Sequence, residues 1–209
     1  MDDTTGKRYD AHYFQRWYRD PAKKDHAVGS TARLARKVAL AVATAEYYLE
    51  RPLRTVLDIG CGEGAWRAPL LWLRPKARYL GFDSSQYAIA RHGARRNLHL
   101  ARFADFATLR PCPPVDLLVC SDVMHYLPLK ELDRGLPGLA ELCGGVAFLE
   151  CFSREDEAEG DEVDFQARPA AFYRRRFAAL GLRQVGSHCW LAPDLADSAA
   201  ALELAPRGA

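Results

Sequence analysis

Val56-Leu57-Asp58-Ile59-Gly60-Cys61-Gly62-Glu63-Gly64 decides the fold of this 209-residue chain. The apolar and β-branched run over Thr55–Ile59 reads as a buried parallel strand. A carboxylate interrupts it, and three glycines follow at alternate positions. Without Cβ atoms such a loop turns sharply and lets backbone N–H groups approach a ligand closely. The helix expected next presents its N-terminus to the same ligand. A strand, glycine loop and helix in this order make a site for a nucleotide-like cofactor.

Strand and helix alternate outward from this stretch. Strands read at 54–59, 78–83, 98–103, 115–121 and 145–152, with helices at 65–73, 85–92 and 129–142. Pro69 falls early enough in the first helix to be tolerated or to kink it. Gly135, Pro137 and Gly138 are expected to break the third into two pieces. Past the fifth strand, 153–168 is a loop dense in acids, read as a solvated surface, with a lid as the sharper alternative. A helix at 169–179, a strand at 182–190 and a last strand at 199–204 complete the pattern. The fold class is therefore α/β: a doubly wound, mostly parallel seven-stranded sheet.

The residues before the first strand differ in character. Tyr9-Asp10-Ala11-His12-Tyr13-Phe14-Gln15-Arg16-Trp17-Tyr18 is rich in aromatics, and 23–29 is polar and loop-like. Ser30 is expected to cap a helix reaching about Glu50, with Leu34, Val38, Val42, Ala45 and Leu49 on one face. Pro52 ends it. We read 1–51 as an N-terminal helical cap and 52–209 as the core of one compact unit.

Composition excludes several classes of protein. A formal net charge of +2 is too small to imply a nucleic-acid or membrane partner by itself. The polar start carries no apolar signal core, and no apolar run reaches spanning length. The six cysteines form no Cys-x-x-Cys pair, which points to buried free thiols, a reducing cytoplasm and no metal site.

The glycine loop alone fits two fingerprints, because Gly60-x-Gly62-x-x-Ala65 also matches a dinucleotide site. Asp58 argues against a diphosphate, which it would repel, and suits a cofactor that carries an ammonium and a sulfonium. The remaining strand ends bear on the choice. Asp83 follows the glycines by about twenty residues, where a carboxylate can take ribose hydroxyls. Strand three ends in Ala104-Asp105-Phe106, and strand four runs into Ser121-Asp122-Val123-Met124-His125-Tyr126. Taken singly, each acid also fits a turn or helix cap.

In this order and spacing, about 52–152 resembles the class I S-adenosylmethionine (SAM) dependent methyltransferases. The resemblance implies SAM as cofactor, S-adenosylhomocysteine as product, and a Rossmann-like core. It implies that Gly60, Cys61 and Gly62 approach the methionine part and that Asp58 helps to hold its ammonium. It implies Asp83, with Ser84, at the ribose, Asp105 at the adenine amine with Phe106 packed nearby, and Ser121 or Asp122 by the sulfonium. The motif of amino-methylating DNA enzymes is missing after strand four, and no cysteine has the setting of a cytosine C5 enzyme.

Methyl transfer from a sulfonium is an in-line displacement, and a base is needed only for a protonated nucleophile. His125 is the first candidate base and Glu150 the second. Tyr13, Trp17 and Tyr18 are candidates for a lid over cofactor and substrate, with Trp66 beside the glycines. Arg174-Arg175-Arg176 reads as a solvated helix face. The expected activity is methylation of an O or N atom of a small-molecule acceptor, with no nucleic-acid or membrane partner. An RNA or protein methyltransferase and a non-catalytic SAM-binding protein are the alternatives.

Overall fold

A computed structural model describes residues 8–20, 31–156 and 161–206. Seven strands form one sheet: β1 (Thr55–Ile59), β2 (Arg78–Asp83), β3 (Leu98–Leu100), β4 (Val115–Ser121), β5 (Cys143–Glu150), β6 (Arg183–Gly186) and β7 (Cys189–Leu191). Their order is β3-β2-β1-β4-β5-β7-β6. The first five neighbours run parallel, while β7 is antiparallel to both β5 and β6. Strand order reverses between β1 and β4, and a crevice opens there outside the carboxyl ends of the strands.

The period of two along each strand builds a core on each face of the sheet. Leu57, Ile59, Leu118 and Cys120 point to one side. There they meet Leu132, Leu136 and Leu139 of α5 (Leu129–Leu142) and Tyr173 and Phe177 of α6 (Ala170–Ala179). Val56, Leu117, Val119 and Val146 point to the other. They pack on Val38, Ala41, Val42 and Ala45 of α2 (Thr31–Leu49) and on Leu70 of α3 (Arg67–Leu73). The expected apolar face of α2 is thus the one buried, although Ser30, its expected cap, lies outside the described residues, as does 23–29.

Several local expectations are corrected. Helix α5 is continuous through Pro137. Its glycines serve packing instead: a Cβ at Gly138 would stand 1.7 Å from the carbonyl oxygen of Phe106. That close approach seats the 3-10 turn Phe103–Ala107 against the helix. The same turn cuts β3 short. The expected strand at 182–190 is a hairpin, because Ser187 and His188 take positive φ of 47° and 66°. Two such residues in succession give the turn that matches strand twist. Residues 199–204 form turns, not a strand. The helix α4 (Gln86–Arg96) runs past its expected end to Asn97, which closes it in the left-handed region at φ 57°.

No helix among the described residues is long and apolar enough to cross a membrane. All six cysteines are free thiols.

Candidate functional site

A cavity of about 800 Å³ opens where strand order reverses. Its floor begins at the glycine loop. The N–H groups of Gly60 and Cys61 both donate to the Phe82 carbonyl, at 2.7 and 3.0 Å, which fixes the loop to the end of β2. Gly62 takes φ +54°, and a Cβ there would lie 2.4 Å from Tyr18 Oη. Only glycine allows both the turn and the aromatic ring above it.

Two carboxylates flank the loop. Asp58, in β1, is buried and accepts from Tyr79 Oη at 2.6 Å. Burial pushes its carboxyl up to about 7; the Tyr79 hydroxyl opposes this and the nearby Asp83 adds to it. Asp83, at the end of β2, accepts from Gly62 N–H at 2.7 Å and from Ser85 N–H at 2.8 Å. Burial raises its pKa against both bonds. One side chain therefore joins the glycine loop to the start of α4. A carboxylate has about four lone-pair sites, so two remain for a ligand. Ser84 lines the cavity beside it.

The ends of β4 and β5 supply the far wall. Ser121 Oγ donates to Glu150 Oε2 at 2.5 Å, and Lys37 Nζ of α2 donates to the same oxygen at 2.6 Å. Burial works to raise the Glu150 pKa, but the Lys37 charge and these two bonds outweigh it and hold the carboxyl low. Asp122 follows in the left-handed region at φ 63°, a conformation that Asp tolerates. His125 is buried on the short turn Met124–Tyr126. Its Nδ1 accepts from Phe152 N–H at 3.2 Å, so the neutral ring carries its proton on Nε2. Nε2 lies 3.1 Å from Asp122 Oδ1 but lacks the alignment of a hydrogen bond.

Sequence reasoning placed both expected bases at the cavity, but neither has the arrangement of a base. The Glu150 carboxylate is ion-paired, and a base acting through Nε2 of His125 needs the opposite tautomer. Asp105 and Phe106 are not part of the lining. Asp105 is exposed and accepts from Arg102 N–H at 2.8 Å, while Phe106 is buried in the core. Ala101 and Phe103 face the cavity from that segment.

The N-terminal aromatics roof the cavity. They comprise a helical turn α1 (Ala11–Phe14) and the wider turn Gln15–Arg19. Tyr13, Trp17 and Tyr18 all line it. The segment is clamped at both ends: Ser85 Oγ donates to the Tyr9 carbonyl at 2.6 Å, and Arg19 donates to Glu63 of the glycine loop at 2.5 Å. Trp66 both lines the cavity and packs on Phe148, with ring centroids 5.1 Å apart.

Residues that the sequence did not single out include Tyr9, Lys37, Phe152 and Phe165. The acid-rich loop also contributes, against the expectation of a purely solvated surface. Asp156, Asp161 and Glu162 reach the cavity, and Gln166 N–H anchors the loop by donating to the His125 carbonyl at 2.8 Å. Glu157 and Glu159 lie outside the described residues. The pattern Phe152…Phe165, aromatics bracketing the acids, was the available signal. Arg176 pairs with Asp133 at 2.8 Å and lies 3.6 Å over the Phe172 ring, so part of the basic cluster is structural.

Comparison with known proteins agrees with this geometry. Residues 57–147 match the family described as "Methyltransferase domain". The trans-aconitate 2-methyltransferase of Azoarcus sp. (strain BH72) is 32% identical over 157 residues, covering 72% of this chain and 58% of that one. The protein of the same name from Methylobacterium nodulans is 43% identical over 98 residues, covering 43% of this chain and 37% of its own length. The chain thus spans about half the length of these curated relatives. The magnesium protoporphyrin IX methyltransferase of Synechocystis PCC 6803, solved with S-adenosylhomocysteine, superposes with a TM-score of 0.63 at 20% identity, over 88% of this chain and 93% of that one. At that identity the likeness speaks for the fold.

Fold, glycine loop and family match together support reading 57–147 as the domain of a class I SAM-dependent methyltransferase. The match to the methyltransferase domain covers 57–147 of this chain.

Proposed function

We propose that this protein transfers a methyl group from SAM to an O or N atom of a small-molecule acceptor. The observation that carries this reading is the roofed cavity. Its volume of about 800 Å³ lies in the range of small-ligand sites, and aromatic side chains cover it. A nucleic acid or a folded protein needs an open surface instead.

The residues fit the cofactor. Asp58 is a buried acceptor suited to an ammonium, and Asp83 keeps lone pairs for ribose hydroxyls. The backbone of Gly60–Gly62 approaches without Cβ obstruction. SAM supplies an electrophilic methyl group on a sulfonium, a good leaving group in itself. The chain's part is then to align the acceptor and exclude water, which can account for much of the rate. Tyr13, Trp17 and Tyr18 close the cavity, Ser121 and Asp122 stand at its reacting end, and His125 offers a donor there.

Calorimetric titration with SAM and with NAD tests the reading. SAM is expected to bind and NAD not to bind. NAD binding without SAM binding overturns it.

A further inference from the structure

The glycine loop turns its own donors inward. The N–H groups of Gly60 and Cys61 both go to the Phe82 carbonyl, and that of Gly62 goes to the Asp83 carboxylate. A backbone N–H is one donor, so none of these three is left for an anion in the cavity. The side chains beside the loop, Asp58 and Asp83, are carboxyls that suit an ammonium and hydroxyls. SAM nevertheless carries a carboxylate on the same carbon as its ammonium, and a carboxylate taken out of water needs donors.

The donor that reaches the loop comes from the N-terminal segment. Tyr18 lines the cavity, and its Oη stands 2.4 Å from where a Cβ on Gly62 would lie. Its ring packs on the buried Phe14, with centroids 4.9 Å apart, and Phe14 stacks in turn on Tyr87 of α4 at 5.7 Å. The next residue, Arg19, donates to Glu63 Oε1 at 2.5 Å, which fastens the chain to the loop one position further on. Tyr18 Oη makes no hydrogen bond among the described residues. Burial first, then Tyr13 and Asp83, push its pKa well up, so the hydroxyl keeps a proton to donate.

Resting on SAM as the cofactor, we infer that Tyr18 binds it directly: the hydroxyl, held over Gly62, donates to the carboxylate of the methionine part. Asp58 takes the ammonium and Tyr18 the carboxylate, so the two charges of the amino-acid end meet opposite walls of the cavity. A hydrogen bond to an ionised acceptor is among the stronger ones. The missing Cβ at Gly62 then serves the approach of a side-chain hydroxyl, where the loop N–H is already engaged. The roof is thereby part of the cofactor site and not only its cover. The cations that line the cavity are Lys37, which is paired with Glu150, and Arg33, which is exposed on α2 and is the rival donor.

Two probes separate the contact from mere packing. S-adenosylhomocysteine and its decarboxylated form, which keeps the adenosine, the sulfur and the ammonium, are titrated calorimetrically into the full chain. The wild type is expected to bind S-adenosylhomocysteine at least tenfold more tightly than the decarboxylated form. Tyr18→Phe keeps the packing on Phe14; it is expected to weaken S-adenosylhomocysteine about tenfold and to leave the decarboxylated form within about twofold. Arg33→Ala is expected to leave both within about twofold. Should Tyr18→Phe fold poorly, Arg19→Met, which releases the clamp beside Tyr18, is expected to show the same selective loss in smaller measure. Equal weakening of both compounds in Tyr18→Phe, an unchanged or tighter S-adenosylhomocysteine Kd, or a selective loss found in Arg33→Ala instead overturns the inference. So does a wild type that binds the two compounds alike. Failure of the wild type to bind either compound overturns SAM as the cofactor instead.

Discussion

Lys37, on the helix that precedes the first strand, reaches to 2.6 Å between its Nζ and Oε2 of Glu150 at the end of β5. The ion pair joins the helix α2 to the far wall of the cavity. The Glu150 side chain is 5% exposed and that of Lys37 24%, so the pair is only partly screened by water.

Removing one partner strands the other. Lys37→Met leaves a buried carboxylate without its counter-ion and should destabilise the protein by about 3 kcal/mol. Lys37→Met with Glu150→Gln should recover most of that loss, read as the urea midpoint. Because Glu150 is held below its ordinary pKa, the stabilisation is present above the unfolded value of 4.5 and is lost as pH falls through the folded value. The double variant should therefore lose less stability on acidification than the wild type. A single variant as stable as the wild type would show the pair to be neutral.

Asp58 has the opposite sign. Its folded pKa is raised to about 7 from 3.8, so the folded state binds the extra proton and stability falls as pH rises across that window. Asp58→Asn removes the cost of a buried charge and can still accept from Tyr79. At pH 8 the ligand-free variant should be more stable than the wild type, by on the order of 4 kcal/mol, and below about pH 4 the two should converge. SAM affinity should fall at least tenfold in the same variant, because the carboxylate for the ammonium is gone. Thermal melts at the two pH values and a SAM titration read both effects. A variant that binds SAM as well as the wild type removes Asp58 from the cofactor site.

Gly62→Ala tests the approach of Tyr18 to the glycine loop. The added Cβ meets Tyr18 Oη at 2.4 Å, at a backbone φ of +54°. Stability should drop by about 1–2 kcal/mol from backbone strain, with more lost to the clash. SAM affinity should fall with it. Gly62→Ala combined with Tyr18→Ala relieves the clash but not the strain, so melting should recover only in part. Full recovery would mean that φ at this position is not constrained.

Much of this was legible in the sequence, for definite reasons. The buried strand Thr55–Ile59 and its glycines are local signals, and the alternation that follows sets the parallel sheet. Asp58 and Asp83 could be found because their positions are fixed relative to the loop. What failed depended on contacts between distant segments. Gly135 and Gly138 look like helix breakers until the turn Phe103–Ala107 is seen packed against them. Glu150 looks like a base until Lys37, 113 residues away, is placed beside it. Asp105 reads as following a strand end, but β3 stops at Leu100 and the carboxylate, on the turn Phe103–Ala107, is turned to the backbone of Arg102. The acid-rich loop reads as solvated because nothing in its own composition shows that Gln166 is tied to His125.

His125 separates alignment from cofactor binding. Its ring is pinned through Nδ1 to Phe152 N–H, lies tilted at 56° to Tyr126 with centroids 4.2 Å apart, and brings Nε2 to 3.1 Å from Asp122 Oδ1. It touches none of the groups that hold the glycine loop. His125→Asn should therefore reduce turnover by at least tenfold while SAM affinity stays within about twofold of the wild type. His125→Phe keeps the packing and removes both ring nitrogens, so it should lose at least as much turnover, with about 1 kcal/mol of stability lost because Phe152 N–H has lost its acceptor. The two variants together distinguish a donor from a packing residue. If His125→Phe turns over at the wild-type rate, the ring serves only to fill space between Tyr126 and Phe152.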